Sequence, residues 1–309
     1  MLLRVEKFQP IRLFMEVYFM SQRTKGFLLV ILSASIFGVL PVIVRSINAC
    51  GSNSVMTSFL RFLLSLIPLY LAVRGSGAGL RITKLEALKI LLIAVFGLGG
   101  TSVLLFLSYN YIPSGMATTI HFVYPVFVIL GSILFLKQKI SPIKLFCVAL
   151  CFGGILLFYG GGGDGSVQPV GLFLAFASGI TYAFYIVFLD ASGLAKMEPT
   201  KMIFYMNLFS ALMVGSLAAA TGNFTLDIAP KGWILALFLA VVISFLAVRS
   251  FQIGVRYIGP QNAAILSTFE PITSLIVGIL VYKEALTFAG AMGCVLILSS
   301  VVITARMEE

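Results

Sequence analysis

A fresh stretch of about 20 apolar residues arrives roughly every 25 residues along this chain, and about 20 is the length a helix needs to cross the hydrocarbon core of a bilayer. Hydrophobic residues make up 60% of the 309 positions and charged residues only 10%, against about 25% charged in soluble domains. That leaves too little polar surface to cover a water-soluble core. Few segments alternate with period two over about 10 residues, which argues against a membrane barrel. The 29 glycines would be costly in soluble helices, whereas in lipid small residues let helices approach closely. The expected fold class is therefore an all-α integral membrane protein.

Ten transmembrane helices are predicted, over residues 26–45, 53–73, 86–108, 114–136, 142–160, 170–190, 201–221, 232–252, 260–281 and 287–305. Turn chemistry separates them, as at Gly75–Gly77, Pro113–Ser114, Ser141–Pro142 and Gly259–Pro260. The Gly160–Gly163 run lacks the GKS/T ending of a phosphate-binding loop and reads as a hinge. With the N-terminus in the cytoplasm, every Lys and Arg except Arg45, Arg61, Lys231 and Lys283 falls on the cytoplasmic side. This is the positive-inside pattern of a multi-pass protein of the cytoplasmic membrane with both termini inside. It accounts for the net charge of +10, and basic loops against anionic lipid explain that charge better than nucleic acid does. Residues 1–25 lack the apolar core of a signal peptide. They read either as an interfacial helix or as sequence upstream of a start at Met20.

Inside this pattern the chain repeats itself. Residues 111–141 and 257–287 align without a gap at an offset of 146, matching Tyr111/Tyr257, Ile112/Ile258, Ala117/Ala263, Pro125/Pro271, Ile133/Ile279, Leu134/Leu280 and Lys137/Lys283. Residues 26–45 align with 171–190 at an offset of 145, through Gly26/Gly171, Leu29/Leu174, Ser33/Ser178 and Val42/Val187. Five helices per copy is an odd number, so the second copy enters the membrane from the opposite side. The expected architecture is two inverted five-helix repeats, 26–160 and 170–306, joined by an outer loop over 161–169, around a central cavity. An inverted repeat in a membrane chain marks a transporter with its substrate site between the halves.

Several features together resemble the EamA-type drug/metabolite transporter superfamily. They are Arg61 within FLRFLLS, the prolines Pro125 and Pro271 in the fourth helix of each half, and a closing motif before the fifth helix. The second half carries that motif as Lys283-Glu284-Ala285-Leu286-Thr287; the first half departs from it, with Lys137-Gln138-Lys139-Ile140-Ser141. The resemblance spans about residues 26–306. It implies a ten-helix inverted-repeat carrier of small organic metabolites, often amino acids and commonly exported.

A charge at the centre of a membrane helix costs about 2.5–3.5 kcal/mol on insertion scales, so each needs a reason. Arg61 lies about two turns into the second helix, placed either to bind a substrate carboxylate or to satisfy backbone carbonyls at a kink. Glu270 directly precedes Pro271, whose ring removes a backbone hydrogen bond. A lone carboxylate there suits proton coupling or an ammonium group, or else a structural hydrogen bond between helices. Its counterpart in the first half is Tyr124. His121, the single histidine, has Ser267 as its counterpart; it reads either as a titrating group or as a packing residue. Ser178, Thr181, Tyr182 and Tyr185 fall on one face of the sixth helix. There they form either an aromatic wall for a ring or cation or a set of interhelical hydrogen bonds. Asn207 and Tyr109 complete the candidate substrate-binding set.

Other functions are poorly served. With one His, no CxxC pair among Cys50, Cys147, Cys151 and Cys294, and no HExxH or GxSxG motif, neither a metal site nor an intramembrane enzyme is expected. No cofactor is expected either, and a channel or receptor would show charged rings or a pore loop. The reading is a secondary transporter of a small molecule, an amino acid or related compound, by alternating access with possible proton coupling through Glu270. The alternative is an exporter of lipophilic cations. The partners are the substrate and the bilayer, without nucleic acid, and the carrier is a monomer or homodimer.

Overall fold

All regular structure among the described residues is helical. The computed structural model describes residues 22–306 apart from 78, 125, 129, 132–141, 161–166, 259–262, 264, 265 and 285. The N-terminal segment to residue 21, the Gly161–Gly163 stretch, Pro125 and the first closing motif at 137–141 therefore lie outside the described residues.

Ten helices follow in order. They are α1 (Gln22–Asn48), α2 (Ser54–Gly75), α3 (Lys84–Ser108), α4 (from Ser114–His121, resuming at Tyr124), α5 (Pro142–Gly160), α6 (Pro169–Ala191), α7 (Pro199–Ala220), α8 (residues 230–258), α9 (Phe269–Tyr282) and α10 (Phe288–Arg306). Six of them are long and apolar enough to span a bilayer, and Phe269–Tyr282 and Phe288–Ser300 are shorter apolar helices. Their starts follow local chemistry. The Asn53 side chain accepts from Met56 N at 2.9 Å and opens α2. Thr83 and Glu86 form a capping box on α3. Glu198 accepts from Thr200 N and Lys201 N ahead of Pro199 on α7.

Two helices outrun their predicted ends: α1 reaches Asn48 and α8 reaches Ile258. Polar residues such as Arg45 and Arg249 end an apolar window but do not end a helix. Breaks also occur inside helices. α1 divides at Val39, just before Pro41, which lacks the N–H needed to continue the ladder. α3 and α8 each widen to π-type turns, over Ile93–Gly99 and Leu239–Ala247. These segments start 146 residues apart, so the distortion is part of the repeat. α4 turns at Phe122–Val123, and a turn at Ser267–Thr268 precedes α9; at the offset of 146 the two turns lie within one residue of each other, shortly before the aligned Pro125 and Pro271.

Packing follows the repeat. α1 packs on α8 and α9, and its counterpart α6 packs on α3 and α4; α2 lies on α7, α4 on α9 and α5 on α10. The contacts correspond residue by residue. A Cβ on Gly26 would lie 2.6 Å from Ile258 and 2.7 Å from Tyr257, and one on Gly171 would lie 2.7 Å from both Ile112 and Tyr111. Ser33 Oγ donates to the Ala247 carbonyl at 2.8 Å. At the equivalent pair Thr101 Oγ1 donates to the Ser178 carbonyl at 3.4 Å. Without a hydrophobic drive in lipid, such close small-residue contacts and buried hydrogen bonds hold the helices together. α5 and α10 pair at the edge, where Ser300 Oγ donates to the Cys147 carbonyl at 2.8 Å. Cys50, Cys147 and Cys294 are free thiols.

Candidate functional site

The other eight helices enclose a central cavity of about 400 Å³, within the range of roughly 300–1,000 Å³ typical of small-molecule sites. Arg61, His121, Tyr124, Tyr182, Tyr185, Asn207 and Glu270 all line it. These residues are drawn from α2, α4, α6, α7 and α9, and only the folded arrangement of the two halves brings them together.

One wall is aromatic. The Tyr124 and Tyr182 rings meet edge-on with centroids 4.7 Å apart, and Tyr182 meets Tyr185 at 5.5 Å. His121 lies 5.4 Å from Tyr182 and 5.7 Å from Tyr124, and Phe122 stands 5.5 Å from Tyr124. Edge-to-face contacts of this kind fix ring orientation, each contributing about 0.5–1.5 kcal/mol beyond burial. His121 is oriented further by a 2.9 Å hydrogen bond between Nδ1 and Ser178 Oγ.

The charged groups come from opposite repeats. Arg61 on α2 donates from Nε to Ser244 Oγ at 3.0 Å, and its guanidinium lies over the rings of Phe62 and Phe106, at 5.6 and 5.8 Å from their centroids. Ser244 belongs to the π-type segment of α8 and itself donates five residues back to the Leu239 carbonyl at 3.2 Å. The wide turn thus aims a hydroxyl from the second repeat at an arginine of the first. Glu270 sits in the first turn of α9, where the positive end of the helix dipole favours a carboxylate. Among the described residues neither Arg61 nor Glu270 has an opposite charge within 4.0 Å. The site therefore holds an arginine and a glutamic acid side chain that are not joined in an ion pair. Broken helices whose ends point into a midplane cavity are the usual construction of carrier sites.

Three candidates stand elsewhere. Ser178 and Thr181 lie behind the tyrosine wall, Ser178 on His121 and Thr181 on Thr101 at 2.8 Å. Tyr109 is buried beside Phe106 at the end of α3, and no partner meets its hydroxyl among the described residues. Asn207, in the cavity wall, accepts from Ser65 Oγ at 3.0 Å and donates to the Ile203 carbonyl at 2.8 Å. It lies 146 residues after Arg61, so the two are equivalents on the paired helices α2 and α7. Sequence reasoning missed Ser244, Phe37, Phe251 and Gln252, which also line the cavity. The repeat offset pairs Ser244 with the apolar Leu98, so the sequence held no signal for it; the π-type turn that aims it is seen only in the fold.

A second cavity of about 440 Å³ adjoins the first. The two share Ile203, Ser244, Val248 and Gln252, and the second runs on past Arg249 to Ser76 at the end of α2 and Glu198 at the start of α7. The site is thus separated from that end of the bundle, between α2, α7 and α8, only by this shared wall.

Comparison with known proteins places this architecture. The model of the EamA-like transporter family matches residues 24–160 and again residues 169–306. An uncharacterized transporter of Archaeoglobus fulgidus is 27% identical over 281 residues, covering 90% of this chain and 95% of the relative. An uncharacterized transporter of Synechocystis is 27% identical over 210 residues, 64% of this chain and 61% of the relative. A solved crystal structure shares the fold with a TM-score of 0.64 at 15% identity, over 91% of this chain and 98% of its own. Matched twice along nearly its whole length, the chain belongs to the EamA-like transporter family and is a multi-pass membrane transporter rather than an enzyme.

Proposed function

We propose that this transporter is a secondary carrier that exports an amino acid, or a closely related zwitterion, by alternating access. The observation that carries this reading is the pair Arg61 and Glu270, opposite charges on one cavity with no ion pair between them. A substrate with its own carboxylate and ammonium supplies the missing partner to each. Burying a charge at this depth without such a role costs several kcal/mol. The tyrosine wall then meets the side chain and favours a large aromatic group over a short aliphatic one. Glu270 is the group through which a proton is exchanged for the ammonium, because a carboxylate there serves either cation in turn.

The Lys and Arg distribution supports an orientation with both termini in the cytoplasm. Arg249 and Ser76 then mark the cytoplasmic mouth and Arg45 the external face. A lipophilic cation is the second reading, favoured by the tyrosines beside a carboxylate, and Arg61 in the same cavity weighs against it. A thermal-shift screen of the purified protein against amino acids, nucleosides and cationic drugs tests the choice, since a ligand that binds the folded state raises its stability. Stabilisation by amino acids and not by their decarboxylated amines is expected. Stabilisation by hydrophobic cations alone would replace this reading with the second.

A further inference from the structure

At the end of the bundle away from Arg249, the one ion pair among the described residues joins the two repeats. Arg45, in the last turn of α1, pairs with Glu284 in the segment between α9 and α10, Nη1 to Oε1 at 2.5 Å. The same guanidinium donates to the Tyr109 carbonyl from Nε at 3.1 Å and from Nη2 at 2.7 Å, and to the Ile112 carbonyl from Nη2 at 3.0 Å. It also lies 5.1 Å from the centre of the Tyr282 ring. Glu284 in turn accepts from the backbone N–H and the hydroxyl of Ser114, all at 3.0–3.1 Å. Ser114 opens α4, so the carboxylate from the second repeat caps a helix of the first.

The local backbone is shaped for this contact. Lys283 adopts the left-handed conformation, φ 52°, at the C-terminus of α9, which turns the chain so that Glu284 folds back over Gly278. Any Cβ on Gly278 would collide with that carboxylate. Tyr109 connects the contact to the cavity: its carbonyl is held by Arg45 and its ring stacks on Phe106 at 6.0 Å, the ring over which Arg61 lies. The tie is one-sided. At the repeat offsets Arg45 corresponds to Asp190 and Glu284 to Gln138, so the same two residue types do not recur at the opposite end, and Arg45–Glu284 is the one ion pair among the described residues.

We infer that Arg45 and Glu284 form the external latch of the carrier, an ion pair whose opening admits the outside solution to the central cavity. The conformation described is the inward-facing one, latched externally. Charge-assisted bonds within 3.1 Å on both partners make the latch a discrete two-state element, and a substrate opens it only by binding the outward-open state more tightly. The inference takes its orientation from the proposed function but needs no particular substrate.

The test is sidedness of labelling. Ser102 lines the cavity; Ser102→Cys is made in a chain whose four native cysteines are replaced by alanine. Right-side-out and inside-out vesicles are treated with a membrane-impermeant maleimide. The parent should label in inside-out vesicles and resist in right-side-out ones. Glu284→Gln, which keeps the shape, and Arg45→Gln, which removes the other partner, should each raise labelling in right-side-out vesicles about tenfold, the order expected for losing a charge-assisted pair. A single monodisperse elution peak after solubilisation reports that each variant is folded, and with alternating access the rise in right-side-out vesicles should come with a fall in inside-out ones. A parent that already labels from outside, or variants whose external labelling stays at the parent rate, would overturn the latch. Because no substrate is added, failure of the amino-acid reading leaves this result unaffected, and the reverse also holds.

Discussion

Replacing Arg61 by glutamine separates a substrate-binding arginine from a structural one. In the folded protein the Arg61 Nε–H is given to Ser244 at 3.0 Å, which leaves both terminal nitrogens for a bidentate carboxylate. Hydrogen bonds to charged groups contribute about 1.5–3 kcal/mol each. Glutamine keeps much of the stem packing on Phe62 and Phe106 and one amide donor, so the expected loss is that of one charged pair, about 2–3 kcal/mol, or roughly 30- to 150-fold in affinity. The assay is ligand-induced thermal stabilisation, titrated to give Kd, for an aromatic amino acid and for the amine made by removing its carboxylate. Arg61→Gln should weaken the amino acid by that factor and leave the amine within about threefold, which is 0.65 kcal/mol and so near the ordinary effect of a benign substitution. Equal weakening of both compounds would refute the carboxylate role and return Arg61 to structural duty.

Three further outcomes follow from the same geometry. Glu270→Gln should abolish the pH-dependent part of transport in reconstituted vesicles while the protein still elutes as a single folded species; unchanged pH dependence would reject Glu270 as the coupling group. Tyr185→Ala removes a ring that packs 5.5 Å from Tyr182 and should weaken aromatic substrates about tenfold more than aliphatic ones; an equal loss for the two classes would rule out the aromatic wall. Gly97→Ala puts a Cβ 2.8 Å from that of Tyr185, forcing α3 from α6, and should destabilise the protein by about 1–3 kcal/mol. Gly75→Ala meets nothing within 4 Å and should leave the melting temperature almost unchanged, so equal melting of the two variants would contradict the close packing of α3 on α6.

The helices and their duplication were legible because lipid imposes them: backbone groups cannot stay unpaired in hydrocarbon, so each long apolar stretch had to be a helix. The polar residues of the cavity were legible for the same reason, since Arg61, Glu270 and His121 stand out against an apolar background. Periodicity alone could not say how far the polar face of α6 would serve the cavity. Ser178 and Thr181 share that face with Tyr182 and Tyr185, yet they are taken up by His121 and Thr101. Ser244 was invisible for a different reason. Its aim at Arg61 depends on a π-type turn with no proline to announce it. Arg45 read only as an outer charge and Glu284 only as part of a closing motif. Their partnership joins residues 239 apart in the chain and exists only once the inverted halves are closed on each other.

The central claim is that an amino acid crosses through the cavity between the two halves while the protein alternates between its faces. Counterflow in proteoliposomes measures this directly: vesicles loaded with unlabelled aromatic amino acid are diluted into a trace of the labelled compound, without any ion gradient. A carrier should give a transient, saturable overshoot of label that is reduced in Arg61→Gln and in Glu270→Gln. Entry that is linear in concentration, or an overshoot that both variants retain in full, would contradict the account.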